Sequence, residues 1–113
     1  MILEAALLNV IPGREAEFEA AMREARPLIA ATPGFEGIEV RPCIETPNRY
    51  LLLVWWRRLE DHTDGFRGSA RYRDWKARLH GFYEPFPTVE HFGTPIHDEA
   101  VPLADHWPRP EDA

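Results

Sequence analysis

Cysteine is nearly absent from this 113-residue chain, which carries only Cys43. One thiol closes no intrachain disulfide and builds no multi-cysteine metal site, a pattern that fits the reducing cytoplasm. Long apolar runs are missing as well. The run Leu51 to Trp56 is six residues, against the roughly 20 that a bilayer-spanning helix needs, so no membrane span is expected. The N-terminal MILEAALLNV has no basic segment and places Glu4 inside its apolar stretch, unlike a secretory signal. Basic charge is the third scarcity. Thirteen Lys and Arg against 19 Asp and Glu leave a formal charge of −6, which argues against nucleic acid, whose phosphates require a basic face. The local exception is residues 57–78, with seven basic side chains against four acidic ones. At helical spacing such a run reads as a solvated face, with an anion patch as the alternative. No glycine-rich phosphate loop, nucleophile elbow, HExxH or CxxC is present. The five histidines are too scattered for a short-range ligand pair, so neither a metal nor another cofactor is expected.

What the chain does hold is core material. Hydrophobic residues make up 44% and aromatics 12%, enough for one domain that hides about two-thirds of its unfolded surface. Ile2 to Asn9 is apolar and stops at Pro12-Gly13, which predicts a buried first strand and a turn. Phe18, Met22, Ala25 and Ile29 step at three- and four-residue intervals through Arg14 to Ala31, predicting a helix with one apolar stripe. Pro27 removes a hydrogen bond from that helix and is expected to kink it, and Thr32-Pro33-Gly34 ends it. Phe35 to Ile44 alternates as a strand whose Pro42 hints at an edge, Thr46-Pro47-Asn48 turns the chain, and Tyr50 to Trp56 is the second arm of a hairpin. Leu59 to Phe66 predicts a short helix, Ser69 caps a second piece running to about Tyr83, and Thr88 to Phe92 is a last short strand.

The order β-α-β-β-α-β is that of an α+β, ferredoxin-like sandwich with both helices on one face of an antiparallel sheet. Tyr50 to Trp56 is apolar on both faces. One face meets the helices, and the other needs a cover this chain does not supply, for which a second copy is the simplest source. A homodimer, closed as a dimeric α+β barrel, is therefore expected. Residues 1–93 form the domain, and residues 94–113 an extended tail. Within it, residues 98–113 hold five acids, one base and three prolines. Trp107 is either an anchor on a partner subunit or an exposed ring.

His62 lies beside Asp61 and Asp64, which would raise its pKa and hold its ring, unless it is a capping or surface histidine. The large rings concentrate after residue 50. They are either core alone or the walls of a cleft for a flat aromatic ligand.

Several segments together resemble a known family: Val54-Trp-Trp-Arg-Arg-Leu-Glu-Asp-His62, Gly65-Phe-Arg-Gly-Ser69, Tyr72-Arg-Asp-Trp75 and Pro85-Phe-Pro-Thr-Val-Glu-His-Phe92, after Ala31-Thr-Pro-Gly-Phe35. They are similar to the antibiotic biosynthesis monooxygenase (ABM) domain over roughly residues 2–93. The resemblance implies a dimeric α+β barrel with a cavity between sheet and helices, and a C-terminal segment that often reaches the partner. Some members oxidise hydroxylated polycyclic aromatics to quinones with molecular oxygen and neither metal nor flavin; others degrade haem. The haem-degrading pattern of an Asn, a Trp and a His falls here near Ala6, Gly65 or Phe66, and Trp75 or Lys76, so that pattern is not met.

For oxidation without a cofactor, a base must deprotonate a phenol and a cation or donor must stand beside the anion. The catalytic assignments are His62 as base, Arg67 as cation and Tyr72 as donor; the substrate-binding ones are Trp56, Phe66, Trp75 and His91. The alternatives are a non-catalytic dimeric ligand-binding or stress-related module, and a cyclase or isomerase using the same base without oxygen.

Overall fold

The structure, a computed structural model, describes residues 1–97. The chain runs β1 (Ile2–Asn9), α1 (Glu15–Ala30), β2 (Phe35–Pro42), β3 (Arg49–Trp56), a π-helical turn (Asp61–Phe66), α2 (Ala70–Leu79) and β4 (Val89–Phe92). The four strands form one antiparallel sheet in the order β2-β3-β1-β4, so the expected α+β ferredoxin-like topology is present. β2 is an edge strand and Pro42 closes it, where no ladder donor is missed.

Alternation sorts each strand between two faces. Ala6, Leu8 and Val10 of β1 and its extension, with Tyr50, Leu52, Val54 and Trp56 of β3, point at the helices and are buried. α1 closes that face with Phe18, Met22, Ala25 and Ile29, and α2 with Trp75 and Leu79. Phe18 lies 4.8 Å from the Tyr50 ring. Burying each such side chain contributes about 1.5–3 kcal/mol. The other parity of β1 and β3 carries Leu3, Ala5 and Leu7 opposite Trp55, Leu53 and Leu51. On β1 and β3 that outer face is apolar, flanked by Glu39 and Arg41 of β2 and Glu90 of β4, and among the described residues Leu7 and Phe92 are about half exposed on it at 51% and 49%.

Of the helical boundaries, two depart from the sequence reading and one agrees with it. α1 runs through Pro27 to Ala30, as its apolar spacing predicts, with the Ala31 N–H reaching the Pro27 carbonyl at 3.1 Å. A proline in the last turn removes one bond without stopping the turn that follows. The helix expected from Leu59 is a wider turn, in which the Arg67 N–H donates to the His62 carbonyl five residues back at 3.0 Å. α2, capped by the Ser69 side chain at the Tyr72 N–H, stops at Leu79 rather than near Tyr83. Tyr83 instead bridges Val10, where a buried ring and a paired backbone outweigh one more helical turn. The tail residues from 98 onward, Trp107 among them, lie outside the described residues.

Gly34 joins α1 to β2 at φ 89°, where its carbonyl accepts the Arg57 N–H at 2.8 Å. A methyl group there would run into the Asp61 carboxylate, which itself accepts the Arg58 N–H at 3.0 Å. Gly34→Ala should therefore destabilise the domain by about 1–3 kcal/mol, through left-handed strain and displacement of Asp61. A lowered urea midpoint would show it.

Candidate active site

Glu4 stands where alternation should place an apolar residue. It shares its face with Ala6 and Leu8, is only 5% exposed, and pairs in register with His91 of β4. Burying a carboxyl without partners is costly, and Glu4 has two. The Trp56 indole Nε1–H donates to Oε1 at 2.9 Å, and His62 Nε2 lies 3.4 Å from the same oxygen. The π-helical turn brings His62 over this end of the sheet and sets its ring against the Trp56 ring, with centroids 5.3 Å apart and planes 14° from parallel. His62 Nδ1 lies 2.8 Å from His91 Nε2, so one of the two rings donates to the other. β1, β3, β4 and the π-helical turn thus each supply one member of a buried chain: Glu4, Trp56, His91 and His62.

The electrostatics favour neutral forms. Burial raises the Glu4 carboxyl above its usual range, opposed by the Trp56 hydrogen bond and by the positive charge of Arg67. Burial pushes His62 down to about 3, with Arg67 and His91 adding to the effect. Burial and then Arg67 lower His91 as well. The expected rise in the His62 pKa from Asp61 and Asp64 is overturned: Asp61 is bound to Arg58, and the ring is taken up by Glu4, Trp56 and His91.

A histidine depressed in the fold is neutral there while the unfolded chain takes up a proton below about 6.5. The stability that depends on neutral His62 is therefore complete above pH 6.5 and lost as pH falls toward about 3. Urea midpoints should fall over that window in the wild type and fall less in His62→Gln.

Glu4 and His62 also line a cavity of about 40 Å³ between sheet and helices, walled by Phe66, Trp75 and Tyr72, with Arg67 at the rim. His80 and Tyr83 complete its far side. His80 lies 5.6 Å from the Tyr83 ring and 5.0 Å from that of Phe86. This volume accepts a water or two and is well below the roughly 300 Å³ at which pockets for drug-sized ligands begin. A groove of about 370 Å³ lies beyond it on the outer face of the sheet, and Phe86 and Pro87 line both spaces. Phe86 is 63% exposed, and Ala6 of β1 also borders both spaces.

Of the residues singled out from sequence, Phe66, Trp75, Tyr72, Arg67 and His62 border the cavity. Trp56 does not line it: fully buried, it holds Glu4 and stacks on His62. His91 is half-buried and meets the site only through His62 and its pairing with Glu4. Glu4, His80 and Tyr83 were not singled out. For Glu4 a signal existed, since an acid in phase with Ala6 and Leu8 on an inward face needs a partner. Among the described residues, no group of three His, Cys, Asp or Glu side chains is placed to hold a metal ion, and no helix is long and apolar enough to cross a membrane.

The profile of the family "Antibiotic biosynthesis monooxygenase" matches residues 1–78, more than half of the chain. The chain belongs to the ABM family. It is 54% identical over 92 residues to the uncharacterized protein YczJ of Bacillus subtilis, covering 81% of this chain and 97% of that one. A crystal structure assigned to the same family, from Bordetella bronchiseptica, shares 37% identity with a TM-score of 0.80, covering 84% and 97% of the two chains. The cofactor-independent oxygenase SnoaB of Streptomyces nogalater superposes with a TM-score of 0.74 at 16% identity, over 85% and 94%, a likeness of fold. The ABM membership supports a monooxygenase or small-molecule-binding role for the chain.

Proposed function

We propose that this ABM protein is a cytoplasmic, homodimeric monooxygenase that oxidises a hydroxylated aromatic molecule, polyketide- or quinol-like, with molecular oxygen and no cofactor. The observation that carries the reading is a buried acid–histidine chain opening on a cavity with aromatic walls and an arginine at its rim. His62 takes the proton of a substrate hydroxyl, and Arg67 and Tyr72 stand beside the phenolate that results. Trp75 and Phe66 offer it faces, while Trp56 and His91 act on the substrate through Glu4 and His62. The phenolate is electron-rich enough to reduce oxygen by one electron. The radical pair then joins through a new C–O bond, and the peroxide loses water to leave a quinone carbonyl. One oxygen atom stays on the product, the other leaves in water, and no net proton is exchanged.

Substrate entry requires the Phe86-Pro87 segment to yield, because the cavity of about 40 Å³ is too small for a fused ring. The same smallness favours a second reading, a non-catalytic module whose cavity is largely filled by its own side chains. Oxygen uptake by the pure, metal-free protein with hydroxylated anthracenes and naphthalenes separates the two. Uptake with quinone formation supports the oxygenase. A rate equal to the protein-free control supports the module, and substrate conversion without uptake a cyclase or isomerase.

The dimer rests on the apolar outer face of β1 and β3, and Trp55, Leu53 and Leu51 lie at its centre. Leu53→Glu would bury charge in a sheet-to-sheet contact. The variant should sediment as a monomer at concentrations where the wild type is a dimer. An unchanged sedimentation coefficient would place the interface elsewhere.

A further inference from the structure

The mechanism leaves the substrate proton on the least suitable side chain for holding it. His62 is 3% exposed and its ring lies flat on fully buried Trp56, whereas His91 is only half-buried; Arg67 disfavours a cation on either ring. We propose that His91 is the proton reservoir of the site, taking the charge from His62 through the Nδ1–Nε2 hydrogen bond and returning it when water leaves. This rests on the oxygenase reading for its substrate, although the relay itself is a property of the two rings.

The geometry separates the two ends of the relay. His62 Nε2 faces Glu4 Oε1 at 3.4 Å, beyond the 2.7–3.2 Å of an ordinary hydrogen bond. Both side chains line the cavity, so Nε2 is the ring nitrogen with room for a substrate hydroxyl. Nδ1, in contrast, is engaged by His91 Nε2 at 2.8 Å. His91 does not line the cavity and is half-buried on the short strand β4, where solvent reaches it. The charged or titratable groups that face the relay are Glu4 across the sheet on β1 and Arg67 after the π-helical turn; β3 presents only the neutral Trp56.

The transfer balances. In the resting state His62 carries its proton on Nδ1 and donates it to bare His91 Nε2. The substrate O–H bond breaks as its proton moves to His62 Nε2, and the Nδ1 proton moves to His91 Nε2. The substrate is then a phenolate, His62 is neutral in its other tautomer, and His91 holds both N–H groups as a cation. When the peroxide O–O bond breaks, the same path runs in reverse and the proton leaves in water.

Two measurements test this on the full-length protein. In ¹⁵N imidazole NMR, the relay requires His62 to pass from the Nδ1–H to the Nε2–H tautomer with the midpoint of the His91 titration, because doubly protonated His91 must donate to Nδ1. His91→Gln should lack the switch. A His62 tautomer constant through that titration overturns the relay. In turnover, His91→Gln keeps an acceptor for His62 Nδ1 but cannot carry the proton. It should slow the reaction at least tenfold, with recovery as imidazole is added to the buffer. An amide spectrum like the wild type's with no recovery also overturns it. If the wild type consumes no oxygen, the oxygenase reading falls, and the NMR titration still decides the relay.

Discussion

His62→Ala is expected to lower oxygen-dependent turnover by about 10²–10⁴-fold, the usual contribution of a positioned general base. The effect should appear in kcat and kcat/KM together, because the proton moves only as the phenolate forms. The fold has reason to survive. His62 belongs to a short π-helical turn at one end of the sheet, while the apolar face proposed for dimer contact lies on the other side. Sedimentation should therefore still report a dimer. Stopped oxygen uptake at unchanged mass is the signature of a lost base, and unchanged uptake would remove His62 from the mechanism. His62→Gln supplies the control: it fills much of the space against Trp56 and can bond to His91, but it titrates nowhere near neutrality, so it too should be inactive.

The largest loss of stability is expected from Trp56→Ala. Trp56 is fully buried at the end of β3, beside Phe35 at 6.0 Å and Phe66 at 6.1 Å. Truncating a core tryptophan costs about 3–5 kcal/mol, and the Glu4 carboxyl would also lose its indole donor, a further cost of about 1–3 kcal/mol. Because the two losses share one site they will not simply add, yet either is a large part of the roughly 5–15 kcal/mol that holds a domain together. The variant should be substantially unfolded in urea concentrations that leave the wild type intact. Trp56→Phe separates the two causes. It keeps most of the apolar volume and loses only the N–H, so its midpoint should fall by the smaller amount. Since the indole bond partly offsets the rise that burial imposes on the Glu4 pKa, that carboxyl should titrate higher in Trp56→Phe than in the wild type. An unshifted carboxyl would show that the hydrogen bond contributes little in solution.

The sheet and its helices could be read along the chain because their information is local. Phe18, Met22, Ala25 and Ile29 announce a helix by spacing alone, and the run Tyr50 to Trp56 announces a strand whose one face is buried under the helices. Element ends were less legible. Whether α2 continues past Leu79 depends on Tyr83 finding Val10, a residue of another strand. The width of the Asp61–Phe66 turn likewise follows from where its ends are held, by Asp61 at Arg58 and by Ser69 accepting the Tyr72 N–H.

The site divides along the same line. Residue chemistry drew attention to His62, Arg67, Tyr72, Phe66 and Trp75, since these types crowd into one short stretch, and they do border one cavity. Glu4 stood out only as a charge within an apolar stretch and not as a site residue: its indole donor is 52 residues away in the chain, and nothing beside it in sequence explains an acid on an inward face. His91, 29 residues from His62, showed its type but not its place: behind His62 rather than against the cavity. Periodicity and composition act between neighbours in the chain, so they suffice for strands and helices. Which ring stacks on which, which carboxyl is buried, and which histidine meets solvent are set by strand register and by a turn folding over the sheet, and these exist only once the chain has closed on itself.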